Sequence, residues 1–573
     1  MSSESMIDST QLDFDAIVVG SGITGGWAAK ELTEKGLKVL VLERGSPLEH
    51  GSGYYAEHAP DWKFPYQGKR PRQLYEEEYK WAAKSGSLNE GNRRFWANEK
   101  DNPYAEDEGK PFMWARADVV GGRSMIWGRN CFRFSEEDFQ ANAKDGHGIP
   151  WPVGYKEIAP WYSYVEKFAG INGRAEGLPQ LPDGEFQKPM PWFALEKTIE
   201  RRLKRHAPDI TLTNCRSAIL TEDLPGRAAC HYCGPCPRGC STGSYFSSQS
   251  STLPAARATG NLTLVANAVV ERLEHDPVSG KISAVHVIDS QTRQRSKYSA
   301  KLFFLCASAV ASTQIMMNSA SAAHPNGLAN GSGVLGKYMM DHTLGMSAIG
   351  VFLDNMDSIN HGNRPTGLYI PRFRNVGKQD EDADFIRGYG YQAYPVRMDW
   401  QYSFNQKGFG ANYKDALRKP GPWIWALSGF TECLPYEKNH MYLSKSKVDR
   451  FGIPQVVFDF EFGENEYALR RDAKVQGERI MKAAGAVFTL PGIGEDMSVP
   501  GEGIHEMGTA RMGDDPAESV LNQYNQAHEV PNLFVTDGSF MTSASCVNPS
   551  LTYMAFTARA CEYAVKQLAE GAI

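Results

Sequence analysis

Asp15-Ala-Ile-Val-Val-Gly20-Ser-Gly22-Ile-Thr-Gly25 is an apolar run that ends directly in a glycine turn, and Trp27 to Lys35 behind it reads as a helix. Lys38-Val-Leu-Val-Leu-Glu43 is a second apolar run, closing a strand–helix–strand unit on an acidic residue about twenty positions past the turn. Each residue type has a physical task here. Gly20 allows the tight turn, Gly22 lets the backbone and the helix N-terminus approach a pyrophosphate, Gly25 permits close helix packing, and Glu43 can accept from the hydroxyls of a ribose. A bare G-x-G-x-x-G is also found as a glycine turn in unrelated α/β folds. Strand, helix and terminal acid in register select dinucleotide binding.

The spacing does not by itself separate FAD from NAD. Its place near the start of a 573-residue chain with further cofactor-like segments favours a flavin held permanently. A chain of this length exceeds one ordinary domain, and its 42% hydrophobic content suits a large buried core. The net charge of -6 is spread without a basic stripe, which excludes a nucleic-acid binder. No apolar run reaches the length of a transmembrane helix. Met1 to Asp15 is polar and acidic, with neither a hydrophobic signal core nor a twin arginine, so no export signal is expected on this chain.

Further along, the strand-like runs Leu262–Val265, Ile282–Val287 and Leu302–Cys306, then a helical Ala309–Met317, are expected to extend the cofactor domain. Between about residues 342 and 462, Met346–Phe352, Thr366–Tyr369, Met441–Leu443 and Gln455–Phe460 are separated by turn residues, which predicts an antiparallel sheet in a substrate domain. Glu464–Ala484 and the tail after Pro549 read as helices, returning the chain to its first domain. Residues 51–111, polar and rich in aromatics and glycine, suit a lid or excursion.

Four of the ten cysteines fall within eleven residues, Cys230-His-Tyr-Cys233-Gly-Pro-Cys236-Pro-Arg-Gly-Cys240. This C-x-x-C-x-x-C-x-x-x-C spacing is that of ferredoxin-like ligation and predicts an iron-sulfur cluster, 3Fe-4S on three thiolates or 4Fe-4S on all four. A structural zinc, with His231 as a further ligand, is the rival.

Val119-Val-Gly-Gly-Arg-Ser-Met-Ile-Trp-Gly128, followed by Trp151-Pro-Val-Gly-Tyr155, resembles the second signature of the glucose-methanol-choline (GMC) oxidoreductases. His505-Glu-Met-Gly-Thr-Ala-Arg-Met-Gly513, Leu533-Phe-Val-Thr-Asp-Gly-Ser539 and Val547-Asn-Pro-Ser-Leu-Thr552 resemble the family's closing motifs, in the family's order, and Pro435–Pro454 resembles its substrate-domain hairpin. The resemblance implies an α/β GMC fold. A Rossmann-like FAD-binding domain would be built from separated segments (14–48, 115–140, 205–340 and 495–570), beside a substrate domain with an antiparallel sheet and lid (50–114, 141–204 and 341–494) and an iron-sulfur loop at 230–240. It further implies that Gly20, Gly22, Gly25 and Glu43 hold the ADP moiety and that Val270 meets the adenine by its backbone. Gly122, Ser124 and Asn130 would lie along the flavin, Asp537 and Gly538 near the ribityl and pyrophosphate, and Asn548 beside the isoalloxazine ring.

Oxidising an alcohol needs a base for the hydroxyl proton as hydride leaves carbon, and neutral imidazole is matched to that work near neutral pH. His505 is the expected base. A loop histidine met alone is more often structural, and the motif around His505 is what carries the catalytic reading. Asn548 stands where many relatives place a second histidine, and an amide orients a hydroxyl without competing for its proton. The region around Ile126-Trp127 lacks the Thr-His-Trp arrangement of covalent attachment, so FAD is expected to be non-covalent.

The cysteine loop resembles that of the iron-sulfur subset of bacterial sugar dehydrogenases. This implies a dehydrogenase acting on a sugar or glycoside, of glucoside 3-dehydrogenase type ahead of gluconate or glucose, with electrons leaving through the cluster to a cytochrome c-type acceptor. It also implies a small partner subunit that bears the export signal and takes the enzyme to the periplasm; the cytoplasm is the alternative. Tyr389-Gly-Tyr391-Gln392 and Trp423-Ile-Trp425 could stack a sugar ring, against their plainer reading as sheet core. The competing class is a non-catalytic electron-transfer subunit, and the joint presence of His505 and Asn548 argues against it.

Overall fold

The computed structural model describes residues 14–573 apart from 359, 361, 399–407 and 492–496. The expectation for the first residues therefore falls almost wholly outside the described residues. Along the chain run β1 (Ala16–Val19), α1 (Ile23–Glu34), β2 (Val39–Leu42), β3 (Leu262–Val265), β4 (Leu302–Leu305), β5 (Thr343–Phe352), β6 (Leu368–Ile370), β7 (Tyr389–Arg397), β8 (Trp423–Thr431), α2 (Glu464–Ala484), β9 (Phe488–Pro491), β10 (Leu533–Val535) and α3 (Ser550–Ala569).

A five-stranded parallel sheet has the order β10-β4-β1-β2-β3, with Ile17 beside both Leu40 and Phe303. Its central strands are buried at every position, as unbroken Val, Leu and Phe runs require when both faces are covered. On one face α1 packs against α3, so the two ends of the chain close the same layer. The excursion 51–111 sends Tyr75, Trp81, Phe95 and Trp96 into the core shared by β1 and β2.

The second large sheet is antiparallel, in the order β9-β5-β8-β7-β6, with Thr213–Asn214 at its far edge. Strand periodicity decides what each face does. Tyr389, Tyr391 and Ala393 of β7 and Trp423, Trp425 and Leu427 of β8 pack against Leu469, Ala473 and Ile480 of α2. The alternate positions, Gln392 and Tyr394 of β7 and Phe430 of β8, face the cavity described below.

One expectation is corrected, one is refined, and one pair of alternatives is decided. Ile282–Val287 belongs to a strand, Lys281–Asp289, in a separate antiparallel sheet with Ala268–Asp276 and Arg295–Tyr298. Buried and half-buried positions mix along it, unlike the unbroken burial of β1, β2 and β4. Met441–Leu443 and Gln455–Phe460 pair locally as a hairpin joined by Ala105–Glu106, outside the substrate sheet. Tyr389, Tyr391, Trp423 and Trp425 are fully buried core, which removes them as a sugar platform and leaves Gln392 as the residue of that stretch at the cavity.

Candidate active site

Apart from Gly25 and the cysteines, every predicted site residue lines one cavity of about 420 Å³: Gly20, Gly22, Glu43, Gly122, Ser124, Asn130, Val270, His505, Asp537, Gly538 and Asn548. Gly25 acts from behind. A Cβ there would lie 1.9 Å from the Gly20 carbonyl oxygen, so only glycine lets α1 start this close to the turn. Gly20 has φ +96°, and a Cβ on it would meet the Cys306 carbonyl oxygen at 2.6 Å.

The residues fit a dinucleotide. A Cβ added to Gly22 would meet nothing within 4 Å, so the helix N-terminus is open to the cavity and can be approached by an anion. Glu43 accepts from the Ser21 N–H and hydroxyl (2.9 and 2.6 Å) through one oxygen and from the Gly45 N–H (2.7 Å) through the other. The oxygen that accepts from Gly45 keeps a second lone pair for a ribose. Among the described residues, four that line the cavity hold buried polar atoms without a partner: Trp96 Nε1, Arg116 Nε, Glu506 Oε1 and the Tyr553 hydroxyl. Buried polar groups are ordinarily satisfied, and a polar ligand along this cavity would satisfy them.

At its other end the cavity reaches His505. Its Nε2 lies 3.2 Å from Asn548 Nδ2, and its Nδ1 lies 2.8 Å from His342 Nδ1. Burial, then His342, then Arg123 push the His505 pKa well below the ordinary imidazole value, so the ring is neutral and basic at physiological pH. The backbone around it is unusual: Ile504, a β-branched residue, has φ +57°. Asp341 holds that turn by accepting from the N–H groups of Gly503 (3.1 Å) and His505 (2.9 Å). Burial, then neighbouring Glu506, lifts the Asp341 carboxyl to about 7, while Glu506 itself pairs with Arg123.

Asn548 is fixed from the substrate sheet. Gln392 Nε2 donates to Asn548 Oδ1 (2.6 Å), Asn130 Nδ2 donates to Gln392 Oε1 (2.6 Å), and the Cys215 thiol donates to Asn130 Oδ1 (3.1 Å). The Phe430 ring stands 5.9 Å from the His505 ring, and Leu344 adds a second apolar wall. His342, Gln392 and Phe430 were missed by sequence reasoning. The available signal was strand alternation for the last two, and for His342 a buried Asp-His pair immediately before β5.

The cysteine loop departs from expectation. Among the described residues no group of three His, Cys, Asp or Glu side chains is arranged to hold a metal ion. Cys233 is exposed, while Cys230, Cys236 and Cys240 are half-buried and pack with Tyr232 against Met190, Ile219 and Tyr245. The loop nonetheless touches the cavity wall: the Arg129 guanidinium lies 3.3 Å over the Tyr245 ring, and the Tyr245 hydroxyl donates to the Trp127 carbonyl at 3.2 Å.

Over residues 14–344 and 435–557 the chain matches the GMC oxidoreductase family, and it belongs to that family. It is thus an FAD-dependent oxidoreductase acting on CH–OH donors. It is 30% identical to 2-methyl-1,2-propanediol dehydrogenase of Mycolicibacterium austroafricanum over 97% of this chain and 96% of that one. It is 25% identical to the fructose dehydrogenase large subunit of Gluconobacter japonicus over 98% and 99% of the two chains. Among solved structures, pyridoxine 4-oxidase from Mesorbium loti superimposes with a TM-score of 0.62 at 16% identity, covering 96% of this chain and 99% of that one, which supports the fold.

Proposed function

We propose that this chain is a dehydrogenase that oxidises a hydroxyl of a sugar or glycoside, of glucoside 3-dehydrogenase type, and passes the electrons to an external acceptor. The observation that carries the reading is the pairing of His505 Nε2 with Asn548 Nδ2 in the cavity that the dinucleotide glycines also line. When bound, FAD supplies the acceptor for the hydride, held non-covalently by Gly20, Gly22, Gly25, Glu43, Gly122, Ser124, Val270, Asp537 and Gly538. His505 takes the hydroxyl proton at Nε2, Asn548 holds the hydroxyl in place, and Phe430 and Leu344 exclude water from the reacting carbon. Gln392 and Tyr394 face the same space and supply hydrogen bonds to further hydroxyls.

Phe430 and Leu344 also favour a second reading, a small branched diol whose carbon skeleton rests on that apolar wall, in line with the dehydrogenase from Mycolicibacterium austroafricanum. Gluconate and glucose remain alternatives within the first. Reduction of an artificial acceptor by a panel of glycosides, gluconate, glucose and 2-methyl-1,2-propanediol tests these readings. Turnover with none of them removes the proposal.

The cysteine spacing supports a redox metal at Cys230, Cys233, Cys236 and Cys240, but the arrangement of these thiols does not fit one, and no electron is routed through them here. Iron, sulfide and zinc analysis of protein purified without oxygen tests that site. Co-export to the periplasm with a small signal-bearing subunit, and delivery to a cytochrome c-type acceptor, complete the proposal. Among the described residues no helix is long and apolar enough to cross a membrane.

A further inference from the structure

We infer that His342 sets the tautomer of His505, so that the catalytic imidazole meets its substrate with Nε2 unprotonated. The inference rests on the reading of His505 as the base, and the protons follow from which atoms can only accept. His342 Nε2 lies 2.8 Å from the Ser545 carbonyl oxygen. A carbonyl has no proton to give, so His342 carries its proton on Nε2 and donates it there.

His342 is completely buried, and burial lowers its pKa to about 4, so the ring is neutral and its Nδ1 carries a lone pair. That lone pair points at His505 Nδ1, 2.8 Å away. Two lone pairs would repel at this separation; His505 therefore holds its proton on Nδ1 and donates to His342. What remains on His505 Nε2 is the lone pair, on the cavity side.

A second chain of bonds, independent of the first, requires the same pattern. The Cys215 thiol fixes which end of Asn130 accepts, Asn130 fixes Gln392, and Gln392 fixes Asn548. Asn548 is left with its Nδ2–H group toward His505 Nε2 at 3.2 Å, a contact that is favourable only where that nitrogen accepts. The frame is built for the purpose on both sides. Ser545, whose carbonyl starts the imidazole chain, sits at φ +56°, and Ile504 beside His505 at φ +57°. In the opposite tautomer His505 would present N–H to the substrate hydroxyl and could not take its proton. His342 is thus a positioning residue, and it acts through His505 without touching the substrate.

Two substitutions separate its two bonds. His342→Asn keeps an acceptor close to the original Nδ1 and gives up the bond to Ser545. His342→Gln keeps a donor toward Ser545 and removes the acceptor that faces His505. The Gln variant should reduce flavin with substrate about 10- to 100-fold more slowly than wild type, the scale of a lost supporting partner, with KM little changed and flavin still bound. The Asn variant should recover most of the rate.

Nitrogen NMR of histidine-labelled wild-type protein, with the His505 signals assigned by their loss in His505→Ala, should place the His505 proton on Nδ1. A proton on Nε2, or equal rates for the Asn and Gln variants, overturns the inference. The NMR measurement needs no substrate, so it decides the tautomer even where the substrate reading fails.

Discussion

The catalytic cavity and the cysteine loop differ in how many parts of the chain hold them. The cavity takes side chains from β1, β2, β7, β8 and the turns around residues 122, 505, 537 and 548, so each functional group is fixed by neighbours distant in sequence. The loop at 230–240 is one local segment, and its thiols rest on a small apolar cluster of Met190, Ile219 and Tyr245. Packing from many directions orients the residues of a site before any ligand arrives. A single loop leaves the orientation of its ligands to whatever binds them.

Replacing His505 by Ala is the strongest test of the first half of that contrast. It should retain flavin and lower flavin reduction by about 10²- to 10⁴-fold, the scale of a lost general base. The wild-type rate should also hold its plateau as pH falls through 6.5, because burial, His342 and Arg123 keep His505 neutral there. A break near 6.5 would mean that His505 is solvated like a surface histidine.

Gln392→Leu should come next, with kcat/KM down by about 10- to 100-fold, since it removes the partners of Asn130 Nδ2 and Asn548 Oδ1 at about 1–3 kcal/mol apiece. Unchanged kinetics would show that the orientation of Asn548 owes nothing to the substrate sheet. Gly25→Ala places a methyl group against the Gly20 carbonyl and should cost about 1–3 kcal/mol with weakened flavin retention, read by thermal melting and bound flavin absorbance. The smallest effect is expected on the other side of the comparison. Cys233 is exposed, so Cys233→Ser should move stability by no more than about 0.5 kcal/mol and leave flavin bleaching intact. A large loss of stability together with a loss of bound metal would make the loop a ligand cage after all.

Much of the cavity was legible because its motifs describe backbone constraints. Gly20, Gly22 and Gly25 are each required by a contact or an opening that one added carbon would spoil, and such requirements survive in a linear reading. Helix α2 was legible to the residue because its apolar period and glycine ends coincide. The strand around residues 455–460 was found, yet assigned to the wrong sheet, because alternation tells which face is buried and not which partner is paired. His342 and Gln392 stayed hidden for a related reason. Their roles lie in contacts with His505 and Asn548, more than a hundred residues away, and neither the Asp341-His342 pair before β5 nor strand alternation names those partners.

The order in which the cavity is assembled also bears on how the protein is made. Strand β4 finds one of its two sheet neighbours only in β10 and helix α1 finds its packing partner in α3, and both members of the His505–Asn548 pair also lie beyond residue 500. Until then one edge of β4 has no strand beside it and the apolar flank of α1 lies open, the features that draw chaperones to nascent chains. Closure of the cavity therefore waits on the segment after residue 500, and a chain cut back to that point keeps most of its mass and neither member of the His505–Asn548 pair.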